Sequence, residues 1–252
     1  MKYPNTEIRK VEINGIPALL IRPEMRKEKY PTVIFYHGWT SNKESQSFRG
    51  FILASLGYQV LIPDALYHGD RERIDYYDKE NAGVFWEVVL KNVEESKGLI
   101  ESLIADYDAD KDRIAVSGHS MGGFTATGVF AANRNLRTMV PLNGSGCWDL
   151  SNDIFIKVLG TSEKEKYKQL IDQVREKDPY KMAAEFIDRP VLILNGEEDN
   201  VVDPAPMRIF YETIKQEYRH KELAMMTTYK GVSHFVTTNM MEDMARWLNK
   251  YL

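Results

Sequence analysis

The segment EIRKVEINGIPALLIRP, which starts at Glu7, carries two β-rich runs on either side of Asn14-Gly15. That dipeptide readily takes the positive φ angles of a two-residue hairpin turn, so the pattern predicts an antiparallel pair of strands near the N-terminus. Further along, short unbroken apolar and β-branched runs recur: TVIFYHG from Thr32, YQVLIPD from Tyr58, RIAVSG from Arg113, RTMVPLNG from Arg137, PVLILNG from Pro190 and LAMMTTY from Leu223. Runs that are apolar on both faces suit a mostly parallel central sheet covered by helices on both faces.

Between these runs, residues 81–106 and 124–135 are long enough for crossover helices, and residues 238–251 read as a closing helix. Strand and helix in alternation give an α/β fold with right-handed crossovers. The rhythm breaks from Gly146 to Arg189, where more than forty residues separate two strand runs that a single helix could connect. We read residues 147–188 as a small helical cap insertion over the carboxyl edge of the sheet, where open α/β proteins place their ligands. Two ordinary surface helices are the alternative. With 252 residues, the chain is expected to form one domain over 1–252.

Composition narrows the function classes. The formal charge is −4, and no lysine or arginine block is long enough to attract nucleic acid or an anionic membrane. No window approaches the roughly 18 apolar residues of a membrane span, and MKYPNTEIRK has no secretory apolar stretch, so a cytoplasmic protein is expected. The single cysteine, Cys147, cannot form an internal disulfide and reads as a small buried apolar group. DYDADKD, from Asp106, has acids at alternate positions, but Lys111 and Ser117 stand where a calcium loop needs glycine and glutamate. HGDRER, from His68, lies near the expected ligand edge and could contact a substrate carboxylate, with a polar loop as the plainer reading. Neither metal nor cofactor is implied.

One stretch suggests chemistry. VSGHSMGGF, residues 116–124, places Gly118-His119-Ser120-Met121-Gly122 between a buried strand and an apolar helix. A G-x-S-x-G turn in that context is a nucleophile elbow, in which a Cβ on either glycine would collide with its neighbours. The helix that follows presents free N–H groups and the positive end of its dipole to an oxyanion. A serine hydroxyl is a weak nucleophile alone and needs a base and a group that orients the base.

These residues resemble the α/β-hydrolase superfamily from about Tyr30 to the C-terminus. The resemblance is to small bacterial-type serine carboxylesterases in the dienelactone-hydrolase-like and prolyl-oligopeptidase-like branches. It implies the chain order serine, acid, histidine. His234, in a turn after the last strand run, is then favoured as base over His220, which we place at the polar end of a helix. Asp199, in GEEDNVVDP, fits the acid position, with Asp203, Glu197 and Glu198 as neighbours that could serve instead. His37-Gly38-Trp39 is similar to the superfamily's oxyanion loop, so the Trp39 and Met121 amides are the implied oxyanion donors. The H-G-G-G form of some lipases is absent, and dienelactone hydrolases proper use cysteine where this chain has Ser120.

The activity expected from this resemblance is hydrolysis of small carboxylic esters through an acyl-enzyme. His37, Trp148, Phe155 and Ile156 are expected to contact substrate and to favour short acyl chains. Three rivals remain: an amidase or peptidase with the same triad, a thioesterase, and a non-catalytic binding protein on a hydrolase scaffold.

Overall fold

Asn14 (φ 54°) and Gly15 (φ 78°) both adopt the left-handed conformation and join β1 (Thr6–Ile13) to β2 (Ile16–Pro23). The strands pair antiparallel with Ile13 opposite Ile16, the register a two-residue turn dictates. In the computed structural model, which describes residues 4–78, 81, 83–159 and 167–252, the hairpin forms one edge of an eight-stranded sheet.

The other strands are β3 (Tyr30–Tyr36), β4 (Gln59–Pro63), β5 (Ala109–His119), β6 (Thr138–Leu142), β7 (Val191–Gly196) and β8 (Ala224–Tyr229). The spatial order is β1-β2-β4-β3-β5-β6-β7-β8. β2 pairs antiparallel with β4, and every pairing from β4 to β8 is parallel. Each apolar run singled out in the sequence is a strand, and the order is that of the α/β-hydrolase fold.

Helices cover both faces. Strand residues alternate sides, so Ile34, Tyr36, Ile114, Val116 and Ile193 meet α2 (Val84–Asp106), α3 (Met121–Ala132) and α6 (Ala205–Glu217). Val33, Phe35, Ala115, Leu192 and Leu194 meet α1 (Ser47–Ser55) and α7 (Thr238–Tyr251) on the other face. The Thr237 hydroxyl accepts from the Met240 amide and caps α7 at its predicted start. No helix among the described residues is long and apolar enough to cross a membrane.

Between β6 and β7 lie α4 (Trp148–Leu159) and α5 (Lys168–Glu176); residues 160–166 of the expected insertion lie outside the described residues. Ile171 and Val174 of α5 join Val84, Trp86 and Val88 of α2 in a third apolar cluster with Met121, Phe124 and Trp148. The N-terminus of α4 is held from a distance, because the buried Asp178 carboxylate accepts from the Trp148 and Asp149 amides. Cys147, at the start of this interval, is free and buried as expected, and burial pushes its thiol up to about 12.

Candidate active site

The β5–α3 turn is as tight as the sequence implies. A Cβ on Gly118 would lie 2.3 Å from the Gly122 carbonyl oxygen, and one on Gly122 would lie 2.1 Å from that of Tyr36. Backbone can approach this closely only where no side chain intervenes. Between them Ser120 sits at φ 58°, ψ −122°, outside the regions a serine ordinarily occupies. Such strain costs about 1–3 kcal/mol and persists only where surrounding structure enforces it. The Ser120 amide is pinned to the Leu142 carbonyl at 3.0 Å, and its own carbonyl accepts from Gly123 and Phe124. Its hydroxyl makes no hydrogen bond to protein among the described residues.

Asp199 and His234 meet across two loops. His234 Nδ1 lies 2.7 Å from Asp199 Oδ2, while Asp199 Oδ1 accepts from the Val201 and Val202 amides at 2.9 Å each. Burial by itself would raise the Asp199 pKa; the His234 ring and the two amides outweigh it and hold the carboxyl below its usual value. The loops dock through the backbone, since the Glu197 and Glu198 amides donate to the Tyr229 and Val232 carbonyls. Gly196 makes room for this: a Cβ there would stand 2.3 Å from the Val232 oxygen. Asn143 adds a tie that sequence reasoning missed. Its side chain accepts from the Gly196 amide and donates to the Phe235 carbonyl, joining the ends of β6 and β7 to the histidine loop.

The His119 ring, next to Ser120 in the chain, lies 4.8 Å from the His234 ring, which brings His234 close to the elbow. Burial, with smaller contributions from His234 and Arg49, lowers His119 to about 3. Asp203 spends its carboxylate on the Ala205 amide, and no bond joins Glu197 or Glu198 to the histidine among the described residues. His220 lies beyond the end of α6, exposed, with Glu222 at 3.6 Å, and takes no part in this cluster.

The loop after β3 is braced from β4. His37 is buried, its Nε2 accepts from the Ala65 amide, and its Nδ1 faces the Gly38 carbonyl oxygen at 2.8 Å. An acceptor at Nε2 fixes the proton on Nδ1, so the ring is neutral, and burial lowers it to about 4. Six residues on, the Lys43 amide donates to Asp64 Oδ1 and its ammonium to Asp64 Oδ2 and Asp70 Oδ2, at 2.5 and 2.7 Å. Lys43 and Asp64 are each only 1% exposed. Burial alone would lower the lysine pKa, and these carboxylates raise it instead. Trp39 lies between the two braces. Gly38 runs against the elbow, where a Cβ would be 3.3 Å from Ser120 Cβ. Met121 opens α3, where helix geometry leaves its amide without an intrahelical acceptor.

Two expected substrate contacts are corrected. His37 has both ring nitrogens engaged with backbone and is buried, so it shapes the loop and does not touch substrate. Trp148 is fully buried, lodged where Gly128 leaves room for its ring and beside Trp86, so it is core. The partly exposed aromatic rings that remain beside the elbow are Trp39, Phe85 and Phe155, packed against the buried Phe124. Phe85 meets Trp39 at 6.0 Å, Phe124 at 5.4 Å and Phe155 at 5.6 Å. Ile156 follows on α4, half-buried. The polar loop from His68 is committed within the protein: Asp70 binds Lys43, and Arg71 makes a two-pronged pair with Glu95.

Residues 44–252 match the prolyl oligopeptidase family. YitV of Bacillus subtilis (strain 168) is 32% identical, the alignment covering 98% of this chain and 99% of that one. The esterase YjfP of Escherichia coli (strain K12) is 28% identical over 98% of this chain and 99% of its own. Among solved structures, TT1662 from Thermus thermophilus superimposes with a TM-score of 0.81 at 21% identity, over 97% of both chains.

Proposed function

The chain belongs to the prolyl oligopeptidase family, and from that premise we propose that it is a serine hydrolase of small carboxylic esters. The observation that carries the reading is the buried Asp199 carboxylate bonded to His234, whose ring lies against that of His119, the neighbour of a strained Ser120. A relative matched over nearly its whole length bears the name esterase.

In the proposed cycle, Ser120 Oγ attacks the ester carbonyl carbon and its proton passes to His234 Nε2. Asp199 holds the Nδ1–H and stabilises the imidazolium as it forms. The carbonyl oxygen, now an oxyanion, accepts from the Met121 and Trp39 amides; one such donor is worth about 3 kcal/mol in the transition state. Collapse breaks the bond to the alcohol oxygen, which takes the proton from His234 and leaves an acyl-serine. Water then attacks the acyl carbon, giving its proton to His234, and the acid departs as Ser120 recovers its hydroxyl. Helices α4 and α5 cover the acyl side, with Phe155, Ile156 and Phe85 setting a modest apolar pocket.

The test is covalent labelling by a fluorophosphonate together with turnover of 4-nitrophenyl acetate. Both are expected in the wild type and in Ser117→Ala, and neither in Ser120→Ala. Labelling that survives Ser120→Ala would sink the assignment. The family's peptidase members favour amide hydrolysis as the second reading, and an anilide run beside the ester of the same acyl group separates the two.

A further inference from the structure

Arg49, in the first turn of α1, is half-buried, yet no carboxylate lies within ion-pair distance of it among the described residues. Its one protein partner is neutral: Nη1 donates to Gln46 Oε1 at 2.5 Å. The nearby acids are engaged elsewhere. Glu44, a turn earlier, pairs with Lys10 and Lys43, and Asp199 is held by His234 and two amides. A charge withdrawn from water without a counter-charge is costly, and burial does depress the guanidinium pKa. Chains usually avoid that cost unless a ligand relieves it.

Its position connects it to the chemistry. From Arg49 a hydrogen-bonded path runs through Gln46 Nε2 to Ser41 Oγ at 2.8 Å, and from the Ser41 amide to the Gly38 carbonyl at 3.2 Å. Gly38 abuts His119 and Ser120. The Arg49 charge is also felt at His119, whose Nε2 is buried with no partner and whose ring lies against that of His234. Arg49, without a counter-charge, and His119, with an unpartnered Nε2, are therefore both linked to the elbow. The alcohol's side is fixed by the reaction: His234 must hand its proton to the departing oxygen, so the alcohol lies towards His234 and the acyl group towards the aromatic rings.

We propose that Arg49 recognises a carboxylate or other anionic group on the alcohol portion of the substrate, so that the preferred esters are those of acidic alcohols or phenols. The assignment of side rests on the ester-hydrolase reading above. A guanidinium offers a two-pronged match to a carboxylate that lysine cannot fully reproduce.

The experiment compares 4-acetoxybenzoate with its neutral methyl ester, methyl 4-acetoxybenzoate, in wild type, Arg49→Gln and Arg49→Lys. The ratio of the two kcat/KM values cancels general losses of folding or catalysis. It is expected to fall about tenfold in Arg49→Gln, to recover in part in Arg49→Lys, and to shrink with added salt in the wild type. In parallel, calorimetry measures 4-hydroxybenzoate binding to Ser120→Ala and to Ser120→Ala/Arg49→Gln, which requires no turnover. Weaker binding in the double variant supports the proposal. An unchanged ratio together with unchanged binding overturns it while leaving ester hydrolysis standing. Binding that depends on Arg49 without turnover of either ester would instead overturn the hydrolase reading alone.

Discussion

Asp199 and His234, 35 residues apart in the chain, share a 2.7 Å hydrogen bond with the carboxylate side chain fully withdrawn from solvent. The bond fixes which ring nitrogen keeps its proton and leaves Nε2 as the acceptor that the proposed cycle uses. Asp199→Asn would retain the shape while reversing the donor, and kcat is expected to fall about 10³–10⁴-fold. Circular dichroism should show a folded variant. A loss of less than tenfold would remove Asp199 from the proposed mechanism.

Lys43 tests the brace on the loop after β3, the proposed oxyanion loop. Lys43→Met keeps the length of the stem but leaves Asp64 buried without its cation, a change expected to destabilise the fold by about 3–5 kcal/mol. If the brace positions the Trp39 amide, kcat falls more than KM rises, because the amide binds the oxyanion more strongly than the ground-state carbonyl. Denaturant titration and steady-state kinetics below the melting range measure the two effects separately.

Buried histidines set the response to acid. His37 is lowered to about 4 and His119 to about 3, in each case chiefly by burial, and His68 is lowered for the same reason. The unfolded chain takes up these protons near pH 6.5, whereas the folded one resists them. Their contribution is therefore complete above about pH 6.5 and is lost as the pH falls towards the folded values. Urea unfolding should show stability declining between pH 7 and pH 4.5. In His37→Gln, less stable at pH 7, the decline over that interval should be shallower by about 1–3 kcal/mol; equal slopes would refute this.

Chain-length preference should follow Phe155. With Phe85, Phe124 and Phe155 in mutual edge or tilted contact, turnover of 4-nitrophenyl esters is expected to peak at acetate to butyrate. Phe155→Ala should move the peak to longer chains. A wild-type profile rising steadily to long acyl groups would contradict a modest pocket.

The sheet could be read from the chain because each parallel strand is buried on both faces and so leaves an unbroken apolar run. The hairpin could be read because Asn14-Gly15 has few other uses. The elbow was legible for a steric reason: only glycine fits at 118 and 122. What stayed hidden depends on partners distant in sequence. Lys43 reads as a surface residue until Asp64 and Asp70 fold against it, and Asn143 looks like turn material until it meets Gly196 and Phe235. Trp148 was misjudged because whether an aromatic ring lines a pocket or fills the core depends on the space opposite, here opened by Gly128. Arg49 gave no signal, since an absent counter-ion cannot be seen in a linear string.

The unusual backbone at Ser120 is sustained only while its glycine neighbours keep their close contacts with β3. Warming that loosens this packing by a fraction of an ångström lets the residue relax to an ordinary conformation and swings its oxygen off line, although the sheet remains intact. Heat inactivation should accordingly set in below the temperature at which the molecule melts.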